Sequence, residues 1–131
     1  MDGRSLILLI AMCSFVFTVS ASPQTTSQAI DQDAETGNRA LQEGRYAEAE
    51  QALEKLRELE PNTAEVRANL GLVYFEEKKF NQAVPELRRA LKLKPSLTNS
   101  GFILAMSLSE LGQFSEAVSG LERGSALEIR R

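Results

Sequence analysis

The sequence predicts an all-α protein built as an array of three antiparallel helix hairpins, and two observations predict it. First, apolar residues of matching size recur at one fixed interval of 34 residues. The recurring series are Ala49, Ala83 and Ala117, then Leu53, Leu87 and Leu121, and then Tyr46, Phe80 and Phe114. Second, Pro61 and Pro95 close the first two blocks. A fixed period of this length indicates stacked supersecondary units, none of which buries its apolar face alone.

The middle block, residues 64–97, has the clearest hairpin pattern. Apolar residues recur three and four positions apart in two separate stretches, which predicts two amphipathic helices. They are Val66, Leu70, Val73 and Tyr74 in the first stretch and Ala83, Val84, Leu87, Ala90 and Leu91 in the second. A polar turn at 76–79 separates the helices, Asn81 is the expected N-cap of the second, and Pro95 ends it. Gly71 and Ala83 are small enough for the two helices to cross closely.

This block resembles the tetratricopeptide repeat family. The family pattern is met at Leu70, Gly71, Tyr74, Ala83, Leu87, Ala90 and Pro95. Arg67 stands where the family has a tryptophan. Three such blocks in one register make the resemblance specific, because a single match would carry little weight.

The same pattern is present in the other two blocks, so the resemblance covers residues 30–131. In the first unit, 30–63, it is carried by Gly37, Gly44, Tyr46, Ala49, Leu53 and Pro61. In the third unit, 98–131, it is carried by Leu104, Ala105, Leu108, Gly112, Phe114, Ala117 and Leu121. The third unit departs at Gly124 and Ile129, where Ala and Pro are expected. The resemblance implies a right-handed superhelical solenoid in which the first helices of the hairpins line a concave face.

Residues 1–21 are predicted to form a secretory signal peptide. The run 6–19 is apolar and uncharged, Arg4 precedes it, and the small residue Ala21 follows it. We expect cleavage after Ala21 and a polar linker at 22–29 before the first repeat. An uncleaved membrane anchor is the alternative, but a bilayer core needs about 20 apolar residues and the run is shorter. We therefore expect an exported protein, periplasmic or secreted, that meets a membrane only through this segment.

The amino-acid composition argues against enzymatic catalysis. The chain has no histidine, and its one cysteine, Cys13, lies within the predicted signal peptide. This excludes metal sites built from His and Cys, and also Ser–His and Cys–His catalytic pairs. The formal net charge of −3 provides no basic field for nucleic acid. We therefore expect no enzymatic activity, no cofactor, no metal, no nucleic-acid partner and no small-molecule substrate.

Charge is distributed unevenly along the repeats. Acidic residues outnumber basic ones in residues 31–60, and the reverse holds in residues 61–97. One interpretation is a partner of complementary polarity. The other, which we favour because it needs no ligand, is solvated helix faces together with attraction between neighbouring repeats.

A binding surface is predicted on the concave face that the resemblance implies. The candidate groove residues are Asn38, Leu41, Asn69, Leu72, Phe75, Phe102 and Met106. Most of them are large and apolar, which favours a docked peptide or partner helix, and the two asparagines are suited to bonding its backbone. The alternative is that Phe75 and Phe102 pack against each other and against the neighbouring hairpin.

One subclass of the family holds the carboxy-terminal carboxylates of chaperones with Lys, Arg and Asn side chains. In this sequence the expected basic positions hold Ala34, Asn99 and Ile103, so a carboxylate would meet no charged donor there. We therefore expect a partly apolar peptide or protein segment that is neutral or mildly basic.

The leading hypothesis is an exported, non-enzymatic scaffold for protein–protein interaction that binds a peptide or partner helix in its concave groove. The alternative is the N-terminal recruitment segment of a larger exported enzyme or assembly factor that contains these repeats. No polar capping helix is recognisable after the third unit, although stacked arrays normally end in one. The expectation is that a partner or second copy covers that end, or that the sequence is a piece of a longer array.

Overall fold

The computed structural model describes the backbone of residues 23–129 and the side chains of residues 26–123. Six α-helices and no strand occupy this part of the chain. They are α1 (Pro23–Gln42), α2 (Tyr46–Leu59), α3 (Ala64–Glu76), α4 (Phe80–Leu93), α5 (Thr98–Glu110) and α6 (Phe114–Ile129). The predicted all-α class is confirmed. The predicted signal peptide at 1–21 lies outside the described residues, and none of the helices within them is long and apolar enough to cross a membrane.

The helices pair in chain order into three antiparallel hairpins. α1 packs on α2, α3 on α4 and α5 on α6, and successive hairpins meet through α2 with α3 and through α4 with α5. The first helices also contact one another, α1 with α3 and α3 with α5. The predicted array of three hairpins is therefore confirmed. One difference lies at its start, because residues 23–29, expected to belong to a polar linker, form the first turns of α1. Their side chains from 26 to 29 include three polar ones that stay exposed, so this extension of the helix buries no polar group.

One turn geometry is repeated in all three hairpins. Gly44, Lys78 and Gly112 have positive φ angles of 71°, 59° and 75°. The amide of the next residue then donates to a carbonyl five residues back. The bonds are Arg45 to Ala40 at 2.8 Å, Lys79 to Tyr74 at 2.7 Å and Gln113 to Leu108 at 2.8 Å. This is the Schellman ending of a helix, for which glycine is the favoured residue. Gly44 and Gly112 adopt this conformation without strain, and the lysine accepts it at a cost of about 1 kcal/mol.

The second helix of the middle hairpin begins earlier than the sequence predicts. The prediction that Asn81 is its N-cap is wrong, because α4 begins at Phe80 and Lys79 is the N-cap residue. The carbonyl of Lys79 already accepts the amide of Ala83 at 3.0 Å, so the Schellman turn leads directly into the helix. No side-chain cap is formed, and Pro85 lies inside the helix on its exposed side.

Two apolar clusters form the core, and they differ in size. The larger one belongs to the first two hairpins, and its largest members are Leu53, Leu56, Leu70, Val73, Tyr74 and Leu87. The smaller one lies between the second and third hairpins and consists of Val84, Ala105, Leu108 and Ala117. The third hairpin also buries Ser100 and Ser107, and the Ser107 hydroxyl donates to the Ile103 carbonyl at 2.8 Å. Apolar burial therefore thins out towards the third hairpin.

The two helices of each of the first two hairpins cross at a glycine. A β-carbon built on Gly71 would lie 2.6 Å from Cγ of Leu87, and one built on Gly37 would lie 3.1 Å from Cγ of Leu53. These leucines are 0% and 1% exposed. Each glycine therefore makes room for a leucine of the facing helix, which confirms the predicted close crossing at Gly71.

A buried carboxylate joins three helices of the first two hairpins. Glu86 on α4 accepts hydrogen bonds from Nη1 of Arg57 on α2 at 2.9 Å and from Nη1 of Arg67 on α3 at 2.8 Å. Nε of Arg67 also donates to the carbonyl of Pro61 at 2.8 Å. The hydrogen bond to Glu86 raises the pKa of Arg57. At the position where the family has tryptophan, this chain therefore fixes α3 to the preceding turn with a charged network.

A second ion pair also crosses from the first hairpin to the second. Nζ of Lys79, in the turn before α4, lies 2.6 Å from Oε2 of Glu50 on α2. It joins an acid of the acid-rich first block to a base of the base-rich second block, whereas in the pair between Arg57 and Glu86 the base belongs to the first block. The uneven charge along the sequence is therefore used, at least in part, for attraction between neighbouring repeats.

We expect opposite effects from the same substitution at two helical glycines. Gly71→Ala places a methyl group against the buried Leu87, so overpacking of about 1–3 kcal/mol should outweigh the gain of about 1 kcal/mol in helix propensity. Gly120→Ala on α6 meets nothing within 4 Å and should stabilise the fold by about 1 kcal/mol. Urea unfolding followed by circular dichroism measures both, and equal shifts in one direction would contradict this account of the crossing.

Removal of the Glu86 carboxylate should destabilise the array. Glu86→Ala leaves two guanidinium groups without their acceptor, and since these are only 28% and 17% exposed we expect a loss of about 2 kcal/mol. The matched control is Glu35→Ala, which breaks an exposed pair with Arg39 within α1 and should change stability by less than about 0.5 kcal/mol. Indistinguishable urea midpoints for the two variants would show that the buried network contributes little.

Candidate functional site

The predicted groove residues lie on the first helix of each hairpin. Asn38 and Leu41 are on α1, Asn69, Leu72 and Phe75 are on α3, and Phe102 and Met106 are on α5. Their exposure differs along the array. The apolar side chains on α1 and α3 are half-buried, whereas Phe102 and Met106 are 55% and 46% exposed. Among the predicted residues, the accessible apolar surface therefore lies on α5.

The two predicted asparagines contact each other. Nδ2 of Asn69 donates to Oδ1 of Asn38 at 3.0 Å, which links α3 to α1 across the face formed by the first helices. Each side chain keeps further hydrogen-bonding capacity, the amide nitrogen of Asn38 and the amide oxygen of Asn69. The pair therefore offers one donor and one acceptor to a backbone laid along this face.

The apolar residues of α3 and α5 line a groove of about 280 Å³. We call this depression the end groove. It is lined by Phe75, Phe102, Ala105, Met106, Ser109, Glu110 and Leu121. The structure therefore brings three of the seven predicted residues together in one depression, while the asparagines, Leu41 and Leu72 lie outside it. Phe75 is held in place by Phe80, whose ring centroid lies 5.7 Å away at an interplanar angle of 59°.

Leu121 is a groove residue that is not among the seven candidates predicted from the sequence. It stands in the register of Leu53 and Leu87, but it is 40% exposed. Among the helices that the structure describes, α2 and α4 each pack between two others, whereas α6 packs on α5 alone. Leu121 is therefore left uncovered and lines the end groove beside Ala105.

The rim of the end groove is acidic. Glu110 lines the groove and is the last residue of α5, a helix that contains no Lys or Arg. Among residues 26–123, no basic side chain forms an ion pair with it. The carbonyl end of a helix carries partial negative charge, so Glu110 adds to a potential of its own sign. This corner of the molecule therefore favours a cation.

No catalytic arrangement is found among the residues that the structure describes. They contain no group of three or more His, Cys, Asp or Glu side chains placed to hold a metal ion. In the part of the chain that the structure describes, the one strongly shifted pKa is that of Tyr74. It is raised by burial and by a hydrogen bond of 2.6 Å to Glu54. This tyrosine joins α3 to α2 within the core and lines no part of the end groove. Its perturbed pKa is a consequence of packing.

Stacked helix hairpins of this kind, with paired helices and a face formed by their first members, define a tetratricopeptide repeat protein. The family described as anaphase-promoting complex, cyclosome, subunit 3 matches residues 42–124. The chain belongs to this family of tetratricopeptide-repeat proteins. A search of curated proteins gave no match.

Solved structures with the same fold include several tetratricopeptide proteins. MamA from AMB-1 is 23% identical with a TM-score of 0.72, and the match covers 81% of this chain and 60% of that one. The second tetratricopeptide domain of Spaghetti (RPAP3), bound to the HSP90 peptide SRMEEVD, is 24% identical with a TM-score of 0.71, covering 79% and 95%. The O-GlcNAc transferase of Thermobaculum terrenum is 24% identical with a TM-score of 0.68, covering 78% and 20%. This chain therefore spans less than two thirds of the first of these proteins and one fifth of the third.

Proposed function

We propose that the protein is an exported, non-enzymatic scaffold that binds a peptide or a partner helix in its concave groove. The observation that carries the proposal is the end groove, where Phe102, Met106 and Leu121 expose apolar side chains around one depression. A preformed array loses little conformational freedom on binding. More of the free energy of apolar contact in such a groove therefore contributes to affinity. The Asn38 and Asn69 amides lie on the same face and suit the backbone of a bound segment.

The comparisons support interaction with a peptide as the general activity. In one similar structure, a tetratricopeptide domain of nearly this size holds a peptide of HSP90. That peptide is acidic, whereas the end groove of this chain has an acidic rim and none of the basic side chains that would hold carboxylates. We therefore propose a partner that is partly apolar and neutral or mildly basic.

A second candidate function is recruitment within a larger exported protein. One of the similar structures is a transferase in which the matching segment is 20% of the chain. In that case the end groove would hold a substrate protein for a catalytic domain elsewhere in the polypeptide. A transcript whose open frame continues past residue 131 into such a domain would favour this alternative over an independent scaffold.

Truncation of Phe102 should weaken partner binding without unfolding the array. Phe102→Ala removes a large exposed ring from the end groove, and loss of such an anchor at an interface costs about 2 kcal/mol, or roughly thirtyfold in affinity. The matched control is Phe114→Ala on α6, because Phe114 is 64% exposed and lies outside the groove. The measurement is quantitative recovery of partners by the tagged full chain and by each variant.

Thermal unfolding of the same variants separates binding from folding. We expect both to unfold within a few degrees of the unmodified chain, since each removes an exposed ring. Equal recovery by the Phe102 and Phe114 variants, or a binding loss matched by a loss of stability, would refute binding through the end groove.

Export is tested separately by the amino terminus of the processed protein. If residues 1–21 act as a signal peptide, the protein from a secreting host should begin at Ser22, after cleavage behind the small residue Ala21. Intact mass spectrometry of the fraction outside the inner membrane measures this directly. An intact mass that retains Met1, in membranes or in the cytoplasm, would contradict export by this route.

A further inference from the structure

The end groove combines an apolar floor with a single charged corner. Phe102, Met106 and Leu121 supply exposed apolar surface from two helices, and Phe75 is fixed behind them by its contact with Phe80. Anchors that fill such pockets at the centre of an interface provide most of its binding energy. A groove of about 280 Å³ suits one large apolar side chain rather than a broad helix face.

The charged corner specifies what lies beside that anchor. Glu110 stands at the carbonyl end of α5, a position at which a carboxylate is unfavourable to the helix itself. The turn that follows, Leu111 to Gln113, adds no compensating base. By contrast α2 and α4, which lie away from the groove, each carry a basic residue in their last turn, Arg57 and Lys92. α5 therefore supplies no base of its own to Glu110, and a cation of a bound segment would pair with this carboxylate.

The geometry points to a partner segment in which one large apolar side chain enters the end groove and a lysine or arginine beside it pairs with Glu110. This inference rests on the proposed function and deepens it, because it specifies the chemistry of the occupant. An acidic segment is disfavoured by the same carboxylate. A second copy of this chain is the other occupant to be tested.

The test selects the ligand from a library of random twelve-residue peptides displayed on phage, panned against the full chain. We expect the recovered peptides to carry an aromatic residue or leucine within two positions of Lys or Arg. Each recovered peptide is then synthesised with its basic residue kept or replaced by Gln. The replacement should weaken binding to the unmodified chain about fivefold, as expected for a partly exposed ion pair of about 1 kcal/mol.

Variants of the chain assign that loss to Glu110. In Glu110→Gln the two peptides should bind equally, whereas in Glu58→Gln, an exposed carboxylate on α2 outside the groove, the fivefold difference should remain. Phe102→Ala should weaken both peptides about tenfold or more. The difference in affinity between the two peptides should also shrink as the salt concentration rises, because the ion pair with Glu110 is accessible to solvent.

The results distinguish failure of this inference from failure of the proposed function. Peptides that depend on Phe102 but show no preference for a base, or prefer an acid, would overturn this inference and leave the groove as a binding site. Failure to recover any peptide, or recovery independent of Phe102, would overturn the proposed function as well. A dimer in sedimentation equilibrium that dissociates in Phe102→Ala would show that a second copy occupies the groove, which would also overturn the inference.

Discussion

The contact between one leucine and one small residue sets how closely the two helices cross in each of the first two hairpins. In the first two hairpins the small residue is glycine, and Leu53 and Leu87 are buried against it. Because interiors pack at near-crystalline density, a single added methyl group at this point cannot be absorbed without displacement of a neighbour. The third hairpin has Ala105 at this position, and its leucine, Leu121, is 40% exposed. In the described part of the chain, α6 packs on α5 alone, whereas α2 and α4 are each covered by two helices.

Charged residues have two separate uses in the molecule. Between the first two hairpins they are paired and partly buried, and Glu86 holds two arginines of neighbouring helices at 2.8 and 2.9 Å. Such a network fixes relative positions, because each guanidinium group loses its partner if the helices slide. At the end groove the carboxylate of Glu110 has no base from the same helix. Charge also joins the second hairpin to the third through Arg88 on α4 and Glu116 on α6, so Glu110 differs from these paired groups in remaining accessible to a ligand.

The sequence predicts the fold well because its signals are local and repeated. Gly44, Lys78 and Gly112 share one turn geometry, and the 34-residue register identifies the turn even where lysine replaces glycine. The site is predicted less well. The seven candidates came from a face pattern, and only Phe75, Phe102 and Met106 share the end groove. Leu121 joins them because α6 packs on α5 alone among the described helices, and an apolar pattern along one helix does not show which helices cover it.

The third hairpin is packed more sparsely than the first two. Its core is the small cluster around Leu108, it buries two serines, and α6 carries Gly120 in an open position where alanine would favour the helix. Most of the stabilising contacts therefore lie in the first two hairpins, which contain the larger apolar cluster and the buried ion network. Because each unit of a stacked array contacts mainly its neighbours, the third unit keeps apolar side chains accessible while the larger cluster of the first two hairpins stays intact. The larger core and most of the proposed binding groove therefore lie in different repeats of the chain.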